Sequence, residues 1–267
     1  MQDDYEEKYH RVESEHWWFV ARRNLVCALV SAYARSRAST ILDLGCSGGV
    51  TIQQLVRSGF TNVGGLDISP AAIERCRQAG LTNLHAMDAQ SPDLPDDTVD
   101  LIIASDVLEH LADEAAALRA WFRILRPNGV VLVFVPAFRF MWSPHDIVNQ
   151  HYRRYRLPEL EARLAAAGFE TLRRSYWNFL IFPPAALVRL LQRLLPPIRG
   201  MIHLELRIPP APLNRALVAL LRVENGLIRK GVRWPWGQSA MVVARKTASQ
   251  PASTFGSTPA STFKSTP

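Results

Sequence analysis

Between residues 40 and 136 short apolar runs alternate with stretches of helical period. Thr40-Ile41-Leu42-Asp43-Leu44 reads as a buried strand stopped by Gly45, and Gly49 to Ser58 reads as a helix. Asn62 to Leu66 predicts a strand, Pro70 to Ala79 a helix, and Leu84 to Met87 a short strand. Val99 to Ser105 is strongly apolar, Asp113 to Leu125 is helical, and Pro127-Asn128-Gly129 is a turn before the buried run Val130 to Val135. Continuous apolar strands alternating with helices predict a parallel sheet covered on both faces.

Outside that core the pattern changes. Asp3 to Glu15 is a polar, acidic arm, His16-Trp17-Trp18-Phe19 an abrupt aromatic cluster, and Val20 to Tyr33 a helix with Arg22 and Arg23 on its polar side. Phe138 to Tyr155 is aromatic and basic. Pro158 to Ala167 is a helix ended by Gly168, Phe169 to Tyr176 a returning strand, and Ala240 to Ala244 a final strand. Phe179 to Arg233 is apolar, Arg-rich and broken by prolines. In Leu187 to Leu195, Arg189, Gln192 and Arg193 share one helical face and the leucines the other. Leu213, Leu217, Leu220, Leu221, Leu227 and Ile228 form a second stripe, with Arg215, Arg222, Arg229 and Lys230 outside it. The repeat beginning at Pro251 and again at Pro259 has little to bury, so 248–267 is expected to be disordered.

Composition narrows the classes. Hydrophobic residues make up 48% of the 267 and charged residues 21%, as in a globular body. With 31 Lys and Arg against 24 Asp and Glu, the net charge of +7 favours anionic partners. Three cysteines, Cys27, Cys46 and Cys76, without a CxxC pair, argue against a disulfide framework or a zinc site, and no metal is expected. The charged N-terminus lacks a signal-peptide core, and no apolar run reaches the ~18 residues of a membrane span.

The candidate chemistry begins at Asp43-Leu44-Gly45-Cys46-Ser47-Gly48-Gly49, where a strand turns into a helix. Small residues there let the backbone approach a ligand, and the helix start offers unpaired N–H groups. Asp67 ends the next strand, where a carboxylate can accept hydrogen bonds from ribose hydroxyls. The competing role for Asp67 is a helix cap before Pro70.

Together these segments resemble the class I S-adenosylmethionine-dependent methyltransferases, type 11 branch. The glycine turn is similar to that family's first motif, with Ser47 where glycine is more usual. Met87-Asp88-Ala89 matches the motif whose acid meets the adenine amino group, and Asp100 to His110 is similar to the one lining the methionine end. Leu125-Arg126-Pro127-Asn128-Gly129 looks like the turn before the fifth strand. The resemblance implies cofactor contacts from Asp43, Gly45, Cys46, Ser47, Gly49, Asp67, Ile68, Asp88, Ala89, Ser105 and Asp106. The flanks, His16 to Arg23, Asp146 with His151-Tyr152-Arg153-Arg154-Tyr155, and Trp234 to Ser239, resemble methyltransferases of bacterial cell-surface polysaccharide and glycolipid synthesis.

A hydroxyl acceptor benefits from a base, and the near-neutral pKa of histidine suits that role. His110 and His151 are the catalytic candidates, with His145 as a further choice. Trp17, Arg22, His145, Tyr152, Arg153 and Arg154 are expected on the substrate, the arginines through a phosphate or carboxylate. The basic amphipathic pieces fit an anionic membrane surface, a lid or a homodimer interface. The expectation is therefore an α/β, Rossmann-like methyltransferase fold, mostly parallel with helices on both faces and a helical apolar insertion before the last strand. Its expected organisation is a helical cap at 1–38, a cofactor domain at 39–178, the insertion at 179–236, a final strand at 237–247 and the tail. The expected activity is methyl transfer to a hydroxyl of a sugar or lipid-linked saccharide. The alternatives are a quinone or other small metabolite as acceptor, or a binding protein without catalysis. No nucleic-acid module is recognised. A cytoplasmic location is expected, with the inner membrane face as a peripheral site.

Overall fold

The computed structural model describes residues 12–194 and 208–247. The expectations for the acidic arm before residue 12, for the proline-broken segment 195–207 and for the tail 248–267 lie outside the described residues. Seven strands form one sheet: β1 (Ile41–Leu44), β2 (Val63–Asp67), β3 (Leu84–Ala86), β4 (Val99–Ser105), β5 (Leu125–Pro136), β6 (Phe169–Trp177) and β7 (Ser239–Lys246). Their order is β3-β2-β1-β4-β5-β7-β6. The pairs among β1 to β5 are parallel, and β7 runs antiparallel between β5 and β6. The order reverses between β1 and β4, so the carboxyl ends of these strands flank a crevice where ligands of such sheets bind.

Among the described residues, eight α-helices surround the sheet: α1 (Trp17–Tyr33), α2 (Val50–Arg57), α3 (Pro70–Gln78), α4 (Glu114–Ile124), α5 (Pro144–Val148), α6 (Leu157–Ala166), α7 (Phe182–Leu194) and α8 (Ala211–Arg229). Alternation along β1 shows how both faces fill. Leu42 and Leu44 join Trp121 of α4 and Leu160 of α6 on one side, while Ile41 joins Leu25 of α1, Ile52 of α2 and Ile228 of α8 on the other. Trp121 is fully buried, and its indole N–H donates to Ala89 O at 2.8 Å, anchoring the loop after β3.

Three features differ from the sequence expectation. The aromatic cluster lies inside α1, which starts at Trp17 because His16 Nδ1 accepts from the N–H of Trp18 at 3.3 Å. Pro127-Asn128-Gly129 falls within β5, where Asn128 takes φ +62° and the register against β4 shifts between Val99 and Leu101. The leucine stripe of α8 is divided. Leu221 and Ile228 are fully buried, while Leu213 and Leu220 are exposed. Polar residues take places on its inner face. Glu224 accepts from the N–H groups of Asn178, Phe179 and Leu180, and Asn225 bridges Trp177 Nε1 and Ala21 O. Hydrophobic spacing alone hides such a face, because it credits only apolar side chains with burial.

Candidate functional site

Beyond the carboxyl ends of the strands lies one cavity of about 1310 Å³. Two groups of residues face it from opposite ends.

The first end is the turn after β1. Gly45 has φ +63°, and a Cβ there would lie 2.8 Å from Val107 Cγ2, so a side chain fits neither the backbone conformation nor the space. Ser47 also takes a left-handed conformation, at φ +49°. Its N–H donates to Asp67 Oδ2 at 2.9 Å, and the N–H of Ser69 donates to Oδ1 at 2.9 Å. Asp67 thus braces the turn, and it lines the cavity wall. The cap of α3 is Ser69, whose side chain accepts from the N–H of Ala72, so Asp67 is free of that competing role. Asp43 is buried, and burial first, then Glu13, Cys76 and Asp67, hold its carboxyl well above the usual range. Cys46 is buried beside Cys76, whose contact and burial push its thiol up, so it is packing rather than a nucleophile.

Ile68, exposed at 74%, Asp88 and Ala89 continue this wall, with Ser105 and Asp106 at its far side. Gly49 does not face the cavity. It caps α2 at φ +74°, where a Cβ would come within 2.8 Å of Cys76 and closer still to Leu81. Asp100, at the other end of β4, accepts from the N–H of Thr40 and pairs with Arg126, so the start of its motif is architectural.

Arg22 is not on a polar face. It is 3% exposed, its Nη2 donates to Ser239 Oγ at 2.5 Å, and its Nη1 lies 3.2 Å from Asp106 Oδ2. The guanidinium carbon sits 4.3–4.6 Å from the ring centroids of Trp18, Phe134 and Trp177. That aromatic box keeps a buried cation tolerable, since each ring face attracts it. Trp17 lines the same region, and its N–H donates to Asn214 Oδ1 of α8.

The second end is built by the 3-10 turn Leu108–His110 and the loop around α5. His110 and His151 meet edge to face, ring centroids 4.5 Å apart, with His145 6.2 Å from His151. His151 Nδ1 lies 2.9 Å from Asp146 Oδ1. Asp146 is fully buried and also accepts from Arg154 Nε and Nη2 and from the N–H of Ser143. Burial alone would raise its pKa, but the hydrogen bonds from His151 and Arg154 outweigh it and hold Asp146 below the usual carboxylate range. Asp146 thus fixes the orientation of the His151 ring through Nδ1. His110 opens onto the cavity, yet loss of hydration, then His151, pulls its pKa down to about 4. His145 is lowered to about 4 for the same two reasons.

Glu109 is fully buried, and neither carboxylate oxygen has a hydrogen-bond partner. The sequence analysis gave Glu109 no role of its own, because its burial depends on how the turn after β4 meets the loop around α5.

Of the expected substrate residues, Trp17, Arg22, His145, Tyr152 and Arg154 line the cavity. Arg154 is held by its two bonds to Asp146 and one to Ala137 O. Arg153 turns away, donating to Ala112 O and pairing with Glu114. The helix α7 closes the side of the cavity with Ala185, Val188 and Arg189. Arg189 therefore points inward, while Leu187 and Leu190 are 56% and 54% exposed. His16, Trp18, Gln238 and Ser239 are further lining residues that the sequence analysis did not assign.

The first end fits S-adenosylmethionine: a glycine turn whose Cβ positions are filled, an acid braced at the end of β2, and an apolar face at Ile68 beside Asp88. The volume leaves room for a second molecule, since single-ligand pockets span roughly 300–1,000 Å³.

Comparison with known proteins agrees. The model of a methyltransferase domain matches residues 18–173, more than half of the chain. A protein of Mycolicibacterium smegmatis, named a probable S-adenosylmethionine-dependent methyltransferase, is 35% identical over 161 residues, covering 58% of this chain and 60% of that one. A ubiquinone biosynthesis O-methyltransferase of Neisseria meningitidis is 28% identical over 109 residues, covering 38% of this chain and 46% of its own. The chain thus spans between about half and three fifths of these relatives. Among solved structures, a methyltransferase of Mesorhizobium loti aligns with a TM-score of 0.54 at 18% identity, covering 82% of this chain and 96% of that one. One from Archaeoglobus fulgidus aligns at 0.51 and 21%, covering 84% and 94%. At such identities these two establish the fold. With the family model and the glycine-turn geometry in agreement, the chain belongs to the methyltransferase-domain family, the Rossmann-like enzymes that use S-adenosylmethionine.

Proposed function

We propose that the chain transfers a methyl group from S-adenosylmethionine to a hydroxyl of a sugar or lipid-linked saccharide. The observation that carries this reading is the continuity of the cavity, which joins the braced glycine turn to a second end holding His110, lowered by burial, and His151, paired with Asp146. When bound, S-adenosylmethionine supplies an electrophilic methyl group, so the acceptor oxygen needs positioning and a way to lose its proton. Gly45, Ser47, Asp67 and Asp88 hold the cofactor. Arg22 fixes Asp106 at the boundary between the two ends. His110 and His151 meet the acceptor hydroxyl, and Asp146 orients His151.

The lipid part of the reading rests on α7. Its inner face walls the cavity while its exposed leucines face outward, so an acceptor anchored in a membrane could enter beside it. Among the described residues no helix is long and apolar enough to cross a membrane, so the contact would be peripheral, at the anionic inner face. The similarity to ubiquinone biosynthesis O-methyltransferases favours a second acceptor, a quinone-type phenol.

The test is incubation of the purified chain with methyl-labelled S-adenosylmethionine and, in separate reactions, a lipid-linked saccharide mixture and a catechol. Label in the saccharide lipid is expected. Label only in the catechol favours the second acceptor. Cofactor binding without transfer to either supports a non-catalytic role, and absence of cofactor binding overturns the reading.

A further inference from the structure

Glu109, His110 and His151 each place a potential ligand atom within 4.8 Å of the others. We propose that these three residues bind a divalent transition-metal ion at the acceptor end of the cavity, and that the ion takes an acceptor bearing two adjacent oxygens. The inference rests on the O-methyltransferase reading for the acceptor, but the ion site stands on its own geometry.

Four observations carry it. Glu109 is fully buried, with both oxygens lacking a hydrogen-bond partner, and an orphaned carboxylate in such a place calls for a cation. The neighbouring charges are otherwise matched: Arg22 pairs with Asp106, and Arg154 with Asp146. Arg189 approaches from α7, and Asp146 lies within its electrostatic reach. Arg22 and Arg154 also lie within electrostatic reach of Glu109, but neither hydrogen-bonds its carboxylate, which faces two imidazoles. His151 has the outer support typical of a metal-bound histidine. Its Nδ1 is held by Asp146 at 2.9 Å, which leaves Nε2 as the ring atom to meet an ion. All three residues line the cavity, so an ion can enter and an acceptor can reach it.

The donor set decides the kind of ion. Two imidazole nitrogens and one carboxylate suit Zn²⁺, Co²⁺, Mn²⁺ or Fe²⁺, whereas Mg²⁺ and Ca²⁺ prefer oxygen-rich sites. Ligand distances of roughly 2.0–2.2 Å require the three side chains to draw together slightly. Three protein ligands leave coordination positions open toward the cavity. A vicinal diol or catechol could fill them with two oxygens, and ligation would make the hydroxyl easier to deprotonate. A sequence search for ligand spacing misses the site because its residues come from two distant loops.

The test uses the full chain, stripped with a chelator and titrated with Co²⁺ by absorbance and with Zn²⁺ by calorimetry. One equivalent should bind. Glu109→Gln, His110→Ala and His151→Ala should each weaken binding more than 100-fold, Asp146→Asn by roughly 10–100-fold, and His145→Ala little. S-adenosylmethionine titration of the same samples without metal reports whether each variant is folded. It also separates failure of the cofactor reading from failure of the ion site. Should variants fail to fold, X-ray absorption of the Zn²⁺-loaded wild type must show two imidazoles in the first shell. No stoichiometric uptake by the wild type, binding unchanged in all three ligand variants, or a shell without two imidazoles overturns the proposal. In that case His151 meets the hydroxyl directly as a base.

Discussion

The two ends of the cavity are built by different means. The cofactor end is local. Gly45, Ser47 and Asp67 sit at the carboxyl ends of adjacent parallel strands, and strand pairing, with the main-chain N–H groups of Ser47 and Ser69 donating to the Asp67 carboxylate, fixes their geometry. The acceptor end is assembled from a distance. A 3-10 turn after β4, the short α5 with its following loop, and α7 bring Glu109, Asp146, His151 and Arg189 together through side chains. A backbone-built site keeps its shape when one side chain is changed, whereas a side-chain-built site depends on each member. The cofactor end should therefore tolerate substitution with a loss of affinity, and the acceptor end should lose rate.

The sharpest way to break that contrast is a crossed pair of variants. His151→Ala should lower turnover by roughly 10²–10⁴-fold while S-adenosylmethionine affinity stays near wild type. Asp67→Ala should cost about 1.5–3 kcal/mol of cofactor binding with a smaller change in turnover at saturating cofactor. Calorimetry and steady-state rates on both proteins check this. Equal effects of the two variants on affinity would show that the ends are not separable.

A smaller effect is expected on the outside of α7. Arg189 faces the cavity, so the outward residues to change are Leu187 and Leu190. Replacing both with Glu should reduce binding to anionic vesicles by about 1 kcal/mol or more per leucine, given that full burial of such a side chain is worth about 1.5–3 kcal/mol. The melting temperature should barely move, because both leucines are exposed. Vesicle sedimentation that is unchanged in the double variant would remove α7 from the membrane contact.

The smallest effect is on the pH dependence of stability. Burial lowers His16, His110 and His145 to about 4 from an ordinary 6.5. A base with a depressed pKa binds fewer protons when folded. Its contribution is therefore flat above about pH 6.5, and stability falls as the pH drops from there toward 4. Full linkage would give about 1.4 kcal/mol per pH unit for each group. The observed slope should be smaller, since His110 opens onto solvent in the cavity. Asp146, held low, adds its own loss only below the ordinary carboxylate range. Urea unfolding at pH 7.5 and 5.5 checks the sign, and equal stability at both would contradict these shifts.

How much of this was legible beforehand follows the same division. The apolar runs at Ile41–Leu44, Val99–Ser105 and Val130–Val135 predict buried parallel strands, and the sheet contains them in that arrangement. The glycine turn and Asp67 were legible because a close backbone approach demands particular residues at fixed spacing. Arg22 was misplaced, since an arginine in a helix ordinarily faces water. The rings of Trp18, Phe134 and Trp177, from three separate elements, together with Asp106 and Ser239, make its burial acceptable. The inner face of α8 was hidden because Glu224 and Asn225 are buried by hydrogen bonds rather than by apolar contact.

The sequence alone thus determined the strands, the order of the motifs and the place of the glycine turn. Each depends on periodicity or on short-range backbone geometry, which consecutive residues carry. Tertiary structure decided that Glu109 would be buried without a hydrogen-bond partner, and that α7 would turn Arg189 inward and Leu187 and Leu190 outward. Those outcomes depend on which surfaces meet when distant loops pack against the sheet, and pairings of that kind leave no periodic trace along the chain.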